Sequence, residues 1–96
     1  MDNSELSRLR GLEAMHTLGL LAEYVCVDPD FKPTKSHATR RVHVSAAGAE
    51  WEFLVNGPKF YDTRAGAGGG GAIDLVMYVW GVPFKTAIAM LRRAGA

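Results

Sequence analysis

The chain has a single cysteine, Cys26, so it cannot close a disulfide on itself, and a reducing compartment is expected. No apolar run approaches the roughly 20 residues that span a bilayer. The opening Met1-Asp-Asn-Ser-Glu5 is polar and acidic, unlike the basic-then-apolar start of a secretory signal. A cytoplasmic location follows as an expectation. Charge of one sign is also lacking: the formal net charge is +1, so the whole molecule carries no field for a polyanion and any such argument must be local. With 96 residues there is room for one small domain, taken as 1–96, and no second core.

Nearly half the residues are apolar, with two Trp, three Tyr and four Phe, enough for a packed interior. Residues 4–18 are predicted helical from Leu6, Leu9, Leu12 and Met15, capped by Asn3 or Ser4 and ended by Gly19, with Gly11 a weak point that can divide it. Leu20 to Val27 fits neither period. Asp28-Pro29-Asp30 and Lys32-Pro33-Thr34 mark a loop.

From Arg40 the period becomes two. Val42 and Val44 alternate with Arg41, His43 and Ser45; after a turn at Ala47-Gly48-Ala49, Trp51, Phe53 and Val55 alternate with Glu50, Glu52 and Leu54. Asn56-Gly57 signals a second turn, with Pro58 outside the ladder, and Lys59–Asp62 is a third short strand. Helical spacing returns with Ile73, Val76, Met77 and Trp80, stopped by Gly81. Pro83 suits the start of a last helix with Phe84, Ala87, Ile88 and Leu91 buried and Lys85, Arg92 and Arg93 in water. The expected class is α+β: a small antiparallel sheet of about three strands, one N-terminal helix and two C-terminal helices.

The most informative stretch is the glycine-dense loop Gly66–Gly71 between the aromatic strand and the apolar helix. Glycine lets another backbone or a ligand come close, and the following helix start offers unpaired N–H groups that suit a phosphate or carboxylate. A tight strand-to-helix connection needing glycine for shape alone explains the loop equally well. It is not a P-loop, because Gly71 is followed by Ala72-Ile73-Asp74 rather than Lys and Ser or Thr. Nor does enough chain follow for a dinucleotide-binding βαβ unit. Neither ATP nor NAD is expected, and no other cofactor or small-molecule substrate is indicated.

Catalytic chemistry has little footing. His37 and His43 lie in a basic stretch without an evident nucleophile or carboxylate partner, and Cys26 between valines reads as a small buried apolar residue. Asp62 and Asp74 flank the glycine loop, but two carboxylates make a poor cation site; ending a strand and favouring a helix dipole are simpler roles. The basic residues say more. Lys32, Lys35, Arg40 and Arg41 occur in a stretch, 31–49, with no acid, and Lys59 and Arg64 lie near the loop. Brought together, Arg40, Arg41, Lys59 and Arg64 would contact phosphates over a floor of Gly68, Gly69 and Gly70. Of Phe60 and Tyr61, which alternate in direction, one would enter the core and the other, taken as Tyr61, would offer a stacking face to an unpaired base. A solvated basic face with no ligand is the alternative.

Lys59-Phe-Tyr-Asp62, Gly70-Gly-Ala-Ile-Asp-Leu-Val-Met77 and Gly81-Val-Pro-Phe-Lys-Thr-Ala-Ile88 with Leu91 resemble the zinc-finger domain at the start of bacterial replicative primases. That family runs from an aromatic strand to a glycine pair, an Ala-Ile-Asp-Phe-Val helix and a Phe-x-x-Ala-Ile-x-x-Leu helix. The chain is more similar still to a zincless relative that precedes TOPRIM catalytic domains in primase-like proteins of plasmids and integrative elements. The resemblance covers roughly residues 51–93. It implies a noncatalytic accessory domain that engages single-stranded DNA template or docks against a TOPRIM or helicase module. A protein-interaction domain that never touches DNA is the rival class. The family's second cysteine pair would fall near Thr63 and Gly66, neither a zinc ligand, and Cys26, His16, His37 and His43 are poorly spaced for one. The chain is therefore expected to fold without metal, with packing of Trp51, Phe53, Phe60, Ile73, Val76 and Trp80 in its place.

Overall fold

A computed structural model describes residues 3–33 and 37–96. Lys35 and Thr34 lie outside the described residues. The order of elements is α1 (Asn3–Arg10), α2 (Ala14–Leu21), β1 (Tyr24–Val27), β2 (Arg40–Ala46), β3 (Ala49–Asn56), β4 (Lys59–Asp62), β5 (Ala67–Gly69), α3 (Ala72–Trp80) and α4 (Phe84–Arg93). The class is α+β, with four helices and one antiparallel sheet in the order β1-β2-β3-β4-β5. Five strands stand where three were expected. β1 falls in the stretch without a clear period, and β5 is built from the glycine loop itself.

The N-terminal helix is broken near Gly11, and its second half runs through Gly19, ending at Ala22. The Ala14 N–H donates to the Gly57 carbonyl at 2.8 Å, docking the start of α2 on the β3–β4 turn. The β2–β3 hairpin closes on Ala47 (φ 53°) and Gly48 (φ 74°), the paired positive φ of a two-residue turn that matches strand twist. In the next hairpin the turn is Gly57-Pro58 rather than Asn56-Gly57. Asn56 pairs with Lys59, and Gly57 (φ 56°) takes the conformation Pro58 cannot.

Alternation places Val42, Val44, Phe53, Val55 and Phe60 on one face, all buried. Against them pack Leu18 of α2 and Leu75 and Val79 of α3. The opposite flank of α3, Ile73 and Val76, joins Leu9, Ala87, Ile88 and Leu91 in a second cluster made by helices alone. Trp80 packs against both. The single stripe expected on α3 is thus two, because the helix is central and apolar almost all round. Its C-terminus is closed by Gly81 in the left-handed conformation (φ 64°). Arg92 Nε donates to Glu5 Oε1 at 2.8 Å, tying α4 to α1. Among the described residues no single helix is long and apolar enough to cross a membrane.

Candidate nucleic-acid interface

The helices cover one face of the sheet and leave the other to solvent. Across the open face the register sets Arg41, Leu54, Tyr61 and Gly68 of β2 to β5 in one row, continued by Asp28 just past the end of β1. Phe60 and Tyr61, adjacent in β4, part as alternation requires: Phe60 is 5% exposed and Tyr61 45%. The tyrosine stands opposite Gly68, which has no side chain, and a Cβ on Gly66 would lie 3.6 Å from its hydroxyl. The ring therefore has β5 on one side and solvent on the other.

Tyr61 lines a groove of about 750 Å³ together with Leu54, Lys59, Gly68, Gly69 and, from the loop after β1, Phe31 and Pro33. Asn56 and Thr39 also line it, with Asn56 Nδ2 3.4 Å from Thr39 Oγ1. The loop is pinned by Arg41. Its Nε donates to Asp28 Oδ2 at 2.9 Å, and its guanidinium carbon sits 5.4 Å from the centre of the Phe31 ring. Hydrogen bonding to Asp28 raises the Arg41 pKa, and the same bond holds the Asp28 carboxyl below the ordinary range.

The expected residues are therefore divided. Lys59, Tyr61, Gly68 and Gly69 share the groove. Arg40, expected beside them, stands opposite Val55 at the start of β2, in the row of the inner face rather than that of Tyr61; its exposed guanidinium donates to the carbonyls of His37 (2.5 Å) and Thr39 (3.0 Å), bonds that leave its charge in place. Arg41 is already paired and serves the loop. Exposed Arg64 lies in the β4–β5 turn and does not line the groove, and Gly70 faces a separate small pocket with Arg10 and Gly71 at the start of α3. The rest of the open face is acidic and bonded to itself. Ser45 donates to Glu50 at 2.7 Å, Thr63 donates to Glu52 at 2.8 Å, and His43 Nδ1 is 3.8 Å from Glu52.

Shape accounts for most of the glycines. A Cβ on Gly69 would come within 2.8 Å of the Phe60 ring and 3.0 Å of the Asp74 side chain, and one on Gly71 within 2.9 Å of the Arg10 carbonyl. A Cβ on Gly68 would overlap the Phe60 carbonyl oxygen. The β4–β5 turn is organised by Asp62, buried on the inner face. Its carboxylate accepts the N–H groups of Arg64 (3.1 Å) and Ala65 (3.3 Å) and the Tyr78 hydroxyl (2.7 Å). Burial pushes the Asp62 carboxyl up, but the Tyr78 bond, the two N–H groups and the Arg64 charge outweigh it, and the pKa lies below the ordinary value. The same bond raises the Tyr78 phenol. Among the described residues no group of three or more His, Cys, Asp or Glu is arranged to hold a metal ion. Cys26, expected to be buried, is exposed on the edge strand.

Phe31, Pro33, Thr39 and Leu54 were not singled out from the sequence. Leu54 carried a signal, an apolar residue at an outward position of an alternating strand. Comparison with protein-family models, with curated protein sequences and with solved structures gives no match.

Proposed function

We propose that the open face of the sheet binds single-stranded DNA and that the chain is a noncatalytic template-binding module of a primase-like replication or conjugation protein of a mobile element. The observation that carries this reading is Tyr61, half exposed in a groove with Lys59 in its wall. An aromatic face on an open sheet stacks an unpaired base whatever its identity, and nearby cations hold the backbone. Lys59 lines the groove, and Lys32, between Phe31 and Pro33 in the chain, and Arg40, next to Thr39 in the chain, add local positive charge that the net charge of +1 conceals. The resemblance of residues 51–93 to the zincless primase domain supports the same reading and suggests a TOPRIM or helicase module as a neighbour. In this reading the turn held by Asp62 does the work that the metal-clasped knuckle does in the zinc-binding relatives.

A protein-interaction role is the second reading, favoured by the apolar groove wall of Phe31, Pro33 and Leu54. Fluorescence anisotropy with a short oligonucleotide at low and moderate salt separates the two. Tyr61→Ala is expected to cost about 1–3 kcal/mol of binding, the worth of one stacked base, and to weaken single strands more than duplex. If three cations contact phosphate, log K falls with log salt at a slope of about −2. Lys59→Ala with Arg64→Ala flattens that slope without changing sequence preference. Absence of binding at low salt, or binding indifferent to these changes, rejects the DNA reading and leaves the protein-interaction one.

A further inference from the structure

The sheet has two edges, and among the described residues only one is protected. β5 has three residues, two of them glycine, and is packed beside α3 through Gly69 and Asp74. The other edge, β1, reads Tyr24-Val25-Cys26-Val27, with no charge, proline or glycine. Tyr24 is 59% and Val27 38% exposed, and Cys26 is exposed as well. Edges of this kind template strand pairing unless charge or proline blunts them.

The phase of the ladder says which groups the edge offers. The Asp28 N–H donates to the Arg41 carbonyl at 2.8 Å, in register with Cys26 opposite His43 and Tyr24 opposite Ser45. Hydrogen-bonded pairs alternate along an antiparallel ladder, so Tyr24, Cys26 and Asp28 turn their main-chain groups to β2. Val25 and Val27 turn theirs to the free edge.

We infer that β1 pairs antiparallel with β1 of a second copy of this chain, about a two-fold axis at Cys26. In that register Val25 and the partner subunit's Val27 exchange both bonds, and Cys26 faces the partner subunit's Cys26 in the non-bonded position. Cα atoms there are about 4.5 Å apart, within disulfide reach. The pairing is self-complementary, as a two-fold interface must be. Valine meets valine on the inner side, Tyr24 meets Asp28 on the outer, and no like charges are opposed from Tyr24 to Asp28. A strand of four residues makes a small interface, so the dimer is weak and dissociates readily. This inference does not depend on DNA binding.

The test uses the full chain. Under reducing conditions, sedimentation over rising concentration is expected to show reversible dimer formation. Diamide, which takes two protons and two electrons from a pair of thiols, is expected to link Cys26 to its counterpart at least ten times faster in the wild type than in Val27→Lys. Val25→Pro is the second variant. It removes an outward N–H while leaving the β2 ladder intact, and a melting curve verifies its fold. A chain that stays monomeric to millimolar concentration, or cross-linking at one rate in the wild type and both variants, overturns the proposal.

Discussion

The two faces of the sheet share a backbone and divide its work. The inner face carries Val42, Val44, Phe53, Val55 and Phe60 under two helices, and the aromatic rings there, Tyr78 of α3 among them, pack at 5.7–6.4 Å, with Phe53 edge-on to Phe60 and Tyr78 tilted against Phe60. The outer face carries Arg41, His43, Glu52, Leu54 and Tyr61, held by side-chain bonds and open to solvent. Burial of apolar area stabilises the fold through the first face, and the second contributes little of it. One buried residue of the inner face departs from the scheme. Asp62 is a buried carboxylate, tolerated because its acceptors are met by two N–H groups and a hydroxyl.

The sharpest way to break this division is a matched pair of truncations. Phe53→Ala is expected to lower stability by about 3–5 kcal/mol, the cost of an aromatic cavity. Tyr61→Ala on the outer face is expected to change it by about 0.5 kcal/mol or less. Urea denaturation of both decides; a Tyr61 loss equal to that of Phe53 would mean the outer face also holds the fold.

A smaller contrast lies within the glycine loop. Gly69→Ala forces a methyl against Phe60 and Asp74 and is expected to cost about 1–3 kcal/mol. Gly70→Ala meets nothing within 4 Å and is expected to fall within about 0.5 kcal/mol of the wild type. Thermal melts of the two show whether the loop is shaped by packing.

The least effect concerns acid. The Asp62 pKa is depressed in the fold, so its contribution is fully present above the unfolded value of about 3.9 and is lost as pH falls through the lower folded value. The expected outcome is a loss of stability below about pH 4 that is shallower in Asp62→Asn, with Asp28, also depressed, keeping its own share. Tyr78→Phe takes away a hydrogen bond to the carboxylate and is expected to move the acid limb to higher pH. Denaturant midpoints between pH 2 and 6 give the comparison.

Periodicity made much of this molecule legible. The alternation in 40–55 places Val42, Val44, Phe53 and Val55 inside, and the spacing of Ala87, Ile88 and Leu91 gives the buried stripe of α4. Gly81 and the turn at Ala47-Gly48 follow from local backbone preference, which depends on neighbours in the chain. β1 and β5 were not legible. A four-residue edge strand and a three-residue strand of alanine and glycine gain their structure from pairing with β2 and β4, and a short segment carries no period of its own.

The sequence by itself determined the α+β class, the existence and faces of the main strands, and the opposite fates of Phe60 and Tyr61, because side-chain direction in a strand is a local matter of parity. Tertiary structure alone decided the geometry of the candidate site. Register set Tyr61 over Gly68, the pairing of Arg41 with Asp28 took one expected cation out of reach, and the loop carrying Phe31 and Pro33 supplied a groove wall from a distant part of the chain. Contacts between residues far apart in sequence depend on how elements pack, and no local pattern records them.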